Sequence, residues 1–206
     1  MAFCSLLYAF AFLELPAPLH LPLSWRGVPI EFIEAGALAA AIDPGLPWQA
    51  LQADDEQLLQ AALLHDRVIC DLFRQQPVLP LQFGTVFVSP DGLVQHLLRH
   101  GERYRERIRA LTGMGEYTLK LAPQLLHPES DDFEQTDWER EQLQSQLKAR
   151  YGSLVDGAAR RGVERVHLLI PVCEENLLRQ RVTDWQSEYH CWQLDVQGPL
   201  PPYHFA

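Results

Sequence analysis

The chain has 206 residues, 47% hydrophobic and 21% charged; that is ordinary globular composition with enough apolar material for a core, and it excludes disorder as the main state. Lys and Arg number 17 against 27 Asp and Glu, a formal charge of −10, and so acidic a protein repels phosphate backbones, which sets nucleic acid aside as a partner. The length suits one large domain or two small ones, at roughly 100–150 residues each.

The most apolar run, 1–13, is shorter than the roughly 20 residues a bilayer span needs. No Lys or Arg precedes Arg26, so the basic leader of a secretion signal is not formed. A buried first strand over Phe3–Phe10 and no membrane are expected. Glu14–Pro22 holds three prolines and reads as an irregular loop. Pro29–Ile33 and Ala37–Ile42 flank Gly36 and predict a hairpin. Asp54 and Asp55 then cap a helix with Leu58, Ala62, Ile69 and Leu72 on its apolar stripe, widened by Leu59, Leu63 and Phe73. Pro77 stops it. Val78–Leu81 and Phe83–Val88 are extended, with Gly84 at a bend or close contact. Asp91 caps a second helix to about Ala110, with Leu93, Leu97, Tyr104, Ile108 and Leu111 on one face.

Thr112-Gly113-Met114-Gly115 is the best joint between patterned segments and divides the chain into 1–112 and 113–206. Beyond it, Glu116–Leu121 alternates as a half-buried strand, with Tyr117, Leu119 and Leu121 on the apolar face. A loop over His127–Thr136, a helix over about 137–161 interrupted near Gly152-Ser153, a core strand over Arg165–Val172, a helix over 174–188 and a strand over Tyr189–Val196 follow. The fold class is α+β with two domains. The second is a modified ferredoxin-like split βαβ sandwich in which one of the four strands is not visible, and it ends in a Pro/aromatic extension.

Candidate chemistry is sparse. Cys4, Cys70, Cys173 and Cys191 form no CxxC and lie in apolar elements, which suits buried, reduced thiols in a cytosolic protein. Cys173 opens a helix, but Glu174 and Glu175 beside it counter the helix end, so it is a poor nucleophile. His96 and His100 are four apart, a metal-compatible spacing, but Arg99 and Arg103 flank them and no third ligand is in view. His65 lies on the apolar stripe. It is either a core histidine bonded to backbone or carboxylate, or a general base whose Ser or Cys partner the sequence does not reveal. Arg99, Arg103, Arg105, Arg107 and Arg109 make a basic helix that either pairs with Glu102 and Glu106 or docks to an acidic partner or to the other domain. Phosphate-loop, dinucleotide, zinc-protease and hydrolase signatures are all absent. No catalytic, cofactor-binding or metal residue is assigned, no cofactor is expected, and the protein reads as a non-enzyme. The tail Gly198–Phe205 is a Pro-stiffened segment with two aromatic anchors, which either seals the core or docks a partner.

Three pieces in order carry a resemblance: Leu79-Pro80-Leu81-Gln82-Phe83-Gly84-Thr85-Val86-Phe87 after the helix bearing His65, Gly115-Glu116-Tyr117-Thr118-Leu119-Lys120 after the second helix, and the ending Gly198-Pro199-Leu200-Pro201-Pro202-Tyr203-His204-Phe205. With its LPxxFGTVF block and GPxPPYxF tail, the chain resembles the GvpF/GvpL family of gas vesicle proteins along essentially its whole length. It departs from the family at 131–138, where a glycine- and tyrosine-containing stretch is usual. The resemblance implies a minor structural or assembly component of the gas vesicle, a cytoplasmic compartment of buoyant prokaryotes. The implied partners are the hydrophobic shell protein, kept from aggregating during nucleation, and other accessory vesicle proteins. No catalytic residue is carried over. The alternative from a different class is a cytosolic regulatory module binding a metabolite through its ferredoxin-like domain; an enzyme using His65 is a third reading.

Overall fold

The computed structural model describes residues 6–17, 20–124 and 132–206, without the side chains of 132–134. Cys4, the start of the Phe3–Phe10 strand and the first half of the loop expected over His127–Thr136 lie outside these residues. Two compact units divide the chain after Thr112, with Ala206 counted in the first.

In the first unit the order is β1 (Leu7–Glu14), β2 (Glu31–Ala35), β3 (Leu38–Asp43), α1 (Trp48–Leu51), α2 (Asp55–Phe73), β4 (Val78–Pro80), β5 (Val86–Phe87) and α3 (Pro90–Ala110). The antiparallel sheet runs β2-β3-β1-β4, with β5 also on β1. Leu7 to Leu13 are all buried, because β1 is central and covered on both faces; hence its unbroken apolar run. Gly36, with φ 64°, turns the predicted hairpin. Asp43, buried at the end of β3, accepts bonds from the Ser24 hydroxyl and the Trp25 and Gly45 N–H groups. That ties the loop before β2 to the sheet.

The Asp54 side chain caps α2 by accepting from the Glu56 and Gln57 N–H groups. Its buried face is Ala61, Leu64, His65, Val68, Ile69 and Leu72. Leu59 and Leu63, expected to widen that face, are instead 60% and 64% exposed. Leu63 is two residues from both Ala61 and His65, which at about 100° per residue puts it near the opposite side of the helix. The cap of α3 is also corrected: Ser89, not Asp91, accepts from the Gly92 N–H, with Pro90 at the first helical position.

The second unit runs β6 (Met114–Pro123), α4 (Asp132–Arg150), β7 (Leu154–Arg160), β8 (Val163–Pro171), α5 (Glu175–Glu188) and β9 (Trp192–Leu200). Its antiparallel sheet has the order β7-β8-β6-β9. A βαββαβ chain with the first and third strands at the centre is the ferredoxin-like arrangement. The strand missing from the sequence reading is β7. Its sequence LVDGAAR is exposed at five of seven positions, as an edge strand can be, so it shows no apolar alternation. It joins β8 through Arg161 and Gly162, with φ 53° and 78°, a two-residue turn of the type that matches strand twist. The expected helix therefore stops at Arg150, while Asp132–Thr136, expected as loop, is already helix. The strand β9 extends to Leu200, beyond its expected end.

The core of this unit joins Tyr117, Leu119 and Leu121 of β6 to Leu143 and Leu147 of α4, Leu168 and Ile170 of β8, and Leu178, Val182 and Trp185 of α5. Gln146 is set into it, accepting from the Trp185 indole at 2.6 Å and donating to the Tyr189 hydroxyl at 2.7 Å. The other face of β6 is not solvated as expected: Glu116 and Thr118 are buried too.

The rotated face of α2 makes a direct prediction. Leu64→Ala empties buried space and costs about 2–5 kcal/mol, whereas Leu63→Ala stays within about 0.5 kcal/mol. Chemical-denaturation midpoints of the two variants measure this.

Candidate functional site

In the first unit the apolar stripe of α2 carries His65 against β1. Its Nε2 lies 3.0 Å from the Leu81 carbonyl oxygen and its Nδ1 2.9 Å from the Tyr8 hydroxyl. A carbonyl only accepts, so Nε2 carries the hydrogen and Nδ1, in a neutral ring, accepts from Tyr8. The Tyr8 oxygen in turn accepts from the Gly84 N–H at 3.2 Å. Burial pushes the His65 pKa below its ordinary value, against the raising effect of Leu81 and Asp66. Burial pushes the Tyr8 phenol up to about 12, against the Gly84 bond. Gly84 has φ 90°, and a Cβ on it would stand 2.9 Å from the Trp48 ring; the close approach expected there is real. The LPLQFGTVF block is thus the segment that meets His65 and Tyr8. Both imidazole nitrogens are engaged within the protein, which is the core-histidine reading; a general base needs a lone pair aimed at a substrate.

In the second unit the sheet pairs Thr118 of β6 directly with His167 of β8, and Thr118 Oγ1 stands 3.0 Å from His167 Nδ1. Glu116 lies two positions along β6, on the same face. Beyond β9 the chain turns back over this face. The His204 N–H donates to Glu116 Oε2 at 2.8 Å, and its Nδ1 donates to Oε1 at 2.7 Å. His167 Nδ1 is 3.3 Å from that same Oε1, and the two imidazoles stack at 3.6 Å. Burial and then His204 hold the His167 pKa below its ordinary value, opposed by Glu116. Pro201 and Pro202 are buried and Tyr203 and Phe205 half-buried, so Pro201–Phe205 folds back rather than projecting. Sequence reading missed this cluster, because its members lie on three separate segments with no motif spacing.

The remaining candidates are placed as follows. His96 and His100 are half-buried neighbours on α3, with ring centroids 4.8 Å apart and His96 bonded to Tyr104 at 2.7 Å. Burial, then His100 and Arg99, lower the His96 pKa. On the basic helix, Arg105 pairs with Glu102 and with Glu14 of β1, which also meets Arg109; pairing across elements replaces part of the expected pairing along the helix. Cys191 is buried and Cys70 half-buried, but Cys173, expected to be buried, is exposed. It sits in the short turn between β8 and α5, where no sheet neighbour covers it.

The fold is an α+β protein with two antiparallel sheets, one of ferredoxin-like order. The family described as gas vesicle synthesis protein GvpL/GvpF matches residues 6–162 and 134–206, and the chain belongs to that family. Its fold is similar to the crystal structure of gas vesicle protein GvpF from Microcystis aeruginosa, with TM-score 0.78, 14% identity, and 98% of each chain covered. It is equally similar to GvpF from Anabaena sp. PCC7120, with TM-score 0.78, 16% identity, and 98% of this chain and 96% of that one covered. No curated protein matches it. Membership gives the chain a gas-vesicle-related role. Among the described residues no helix is long and apolar enough to cross a membrane.

Two outcomes test the His65 network. Tyr8→Phe leaves the Gly84 N–H and His65 Nδ1 without their partner and lowers stability by about 1–3 kcal/mol, read from denaturation midpoints. The second concerns pH. The unfolded chain binds a proton on His65 near its ordinary value of about 6.5, while the folded protein resists it. This contribution to stability is complete above that value and is lost as pH falls through the lower folded one. The loss of stability between about pH 8 and pH 5 is therefore smaller in His65→Gln than in the unaltered protein.

Proposed function

We propose that the protein is a non-enzymatic assembly component, present in minor amount, that shields the hydrophobic gas vesicle shell protein from aggregation during nucleation and works beside other accessory vesicle proteins. Its two compact units are read as an N-terminal α+β domain, 1–112, and a C-terminal ferredoxin-like domain with its tail, 113–206. The observation that carries this reading is family membership along the length of the chain. Physics supports it in two ways. A charge of −10 keeps a complex with an apolar client soluble. Leu59 and Leu63, one turn apart and 60% and 64% exposed, give α2 an apolar strip on its outer side. The enzyme reading loses support because His65 is engaged on both nitrogens. The metabolite-module reading would need convergent polar groups turned toward a cleft of the ferredoxin-like domain, and Glu116, His167 and His204 of that domain are engaged with one another.

The test is light scattering of the shell protein as it is diluted from denaturant, with and without equimolar protein. The unaltered chain suppresses scattering and co-purifies with the shell protein. Leu59→Glu/Leu63→Glu, at exposed positions, keeps its melting temperature but loses most of the suppression. Undiminished aggregation with the unaltered chain, and no co-purification, would sink the shielding role.

A further inference from the structure

The cluster on the outer face of the second sheet has more chemistry than closing a tail requires. Glu116 is buried to 1% exposure, and two imidazole Nδ1 atoms converge on one of its oxygens, at 2.7 and 3.3 Å. One ligand atom from each of Glu116, His167 and His204 lies within 4.8 Å of the others. A tetrahedral ion with bonds of about 2.0–2.2 Å places its ligand atoms a little over 3 Å apart, so the cluster is of the right size. We propose that Glu116, His167 and His204 form a divalent metal site of the two-imidazole, one-carboxylate type, suited to Zn2+.

The donor set fits. Imidazole and carboxylate suit Zn2+ and leave a fourth position for water. The site is also built around His167. A Cβ on Gly157 of β7 would stand 2.6 Å from His167 Nε2, so glycine there gives the ring room to aim Nδ1 at Glu116. Two stacked rings, with planes only 16° apart, cannot both hold one ion in plane. One must turn, and His204, with 44% of its side chain exposed, has the room to do so. As it binds, the Nδ1 proton that now bridges to Glu116 leaves to solvent and the ion takes its place. Two neighbours set a limit on affinity: Thr118 competes for His167 Nδ1, and the Arg165 cation lies close enough to lower the His167 pKa. The consequence is mechanical. An ion held by β6, β8 and the tail would tie residues 88 apart into one crosslink.

The experiment uses the full-length chain, untagged and stripped with chelator. It is titrated with ZnCl2 by calorimetry and with CoCl2 by visible absorption, whose d–d bands report coordination geometry. One equivalent binds, and the melting temperature rises with added Zn2+. His204→Ala, altered at a half-exposed position and shown to fold by its metal-free melt, weakens binding by about tenfold or more. Glu116→Gln also abolishes tight binding; should it fail to fold, His204→Ala decides alone. His96→Ala/His100→Ala binds as the unaltered protein does. The proposal is overturned if the unaltered chain binds no ion, if His204→Ala binds as tightly, or if the His96/His100 variant is the one that loses binding.

Discussion

A carboxylate in the interior must be matched by donors, because desolvating it without them costs several kcal/mol. The outer face of the second sheet is organised around that requirement at Glu116, which is 1% exposed. The neighbouring strand supplies His167 by register, and the end of the chain supplies a backbone N–H and an imidazole from His204. A ferredoxin-like sheet normally buries one face under its helices and shows the other to water. Here the second face is covered around Glu116, Thr118 and His167 as well, and the return of the tail over β6 is what permits a charged group to sit there. The segment beyond β9 is therefore part of the fold.

The first unit solves a smaller version of the same problem with neutral groups. Tyr8 and His65 are both buried polar side chains on apolar elements, and each satisfies the other. The chain that follows α2 completes the circuit, through the Leu81 carbonyl and the Gly84 N–H. Gly84 is required twice: its φ is positive, and Trp48 occupies the space a side chain would need. A family motif containing glycine and aromatic residues is thus explained by one packed cluster, with no ligand invoked.

Where the sequence was legible, one rule dominated its neighbourhood. The hairpin at Gly36, the Asp54 cap, the strand following Gly113 and the helix over Glu175–Glu188 each rest on local chemistry that no distant contact overrides. The resemblance carried the family correctly. The misreadings have local causes too. An Ala- and Gly-containing edge strand with no apolar alternation passed for helix at β7. On α2, Leu59 and Leu63 passed for an extension of the buried face that holds Ile69 and Leu72, because they are as apolar as the residues that are buried. Burial is decided by what lies opposite, which composition does not report.

The apolar run of β1, the capping of α2 and the turn glycines were determined by the sequence itself, since each depends on residues a few positions apart. So was the family, whose signature is a set of short linear blocks. The register that sets Thr118 beside His167, the return of His204 to Glu116, and the meeting of Tyr8 with His65 were decided only by the tertiary structure. Those pairs are separated by 49, 88 and 57 residues. A hydrogen bond has no sequence period at such distances, so only the folded chain brings its two ends together.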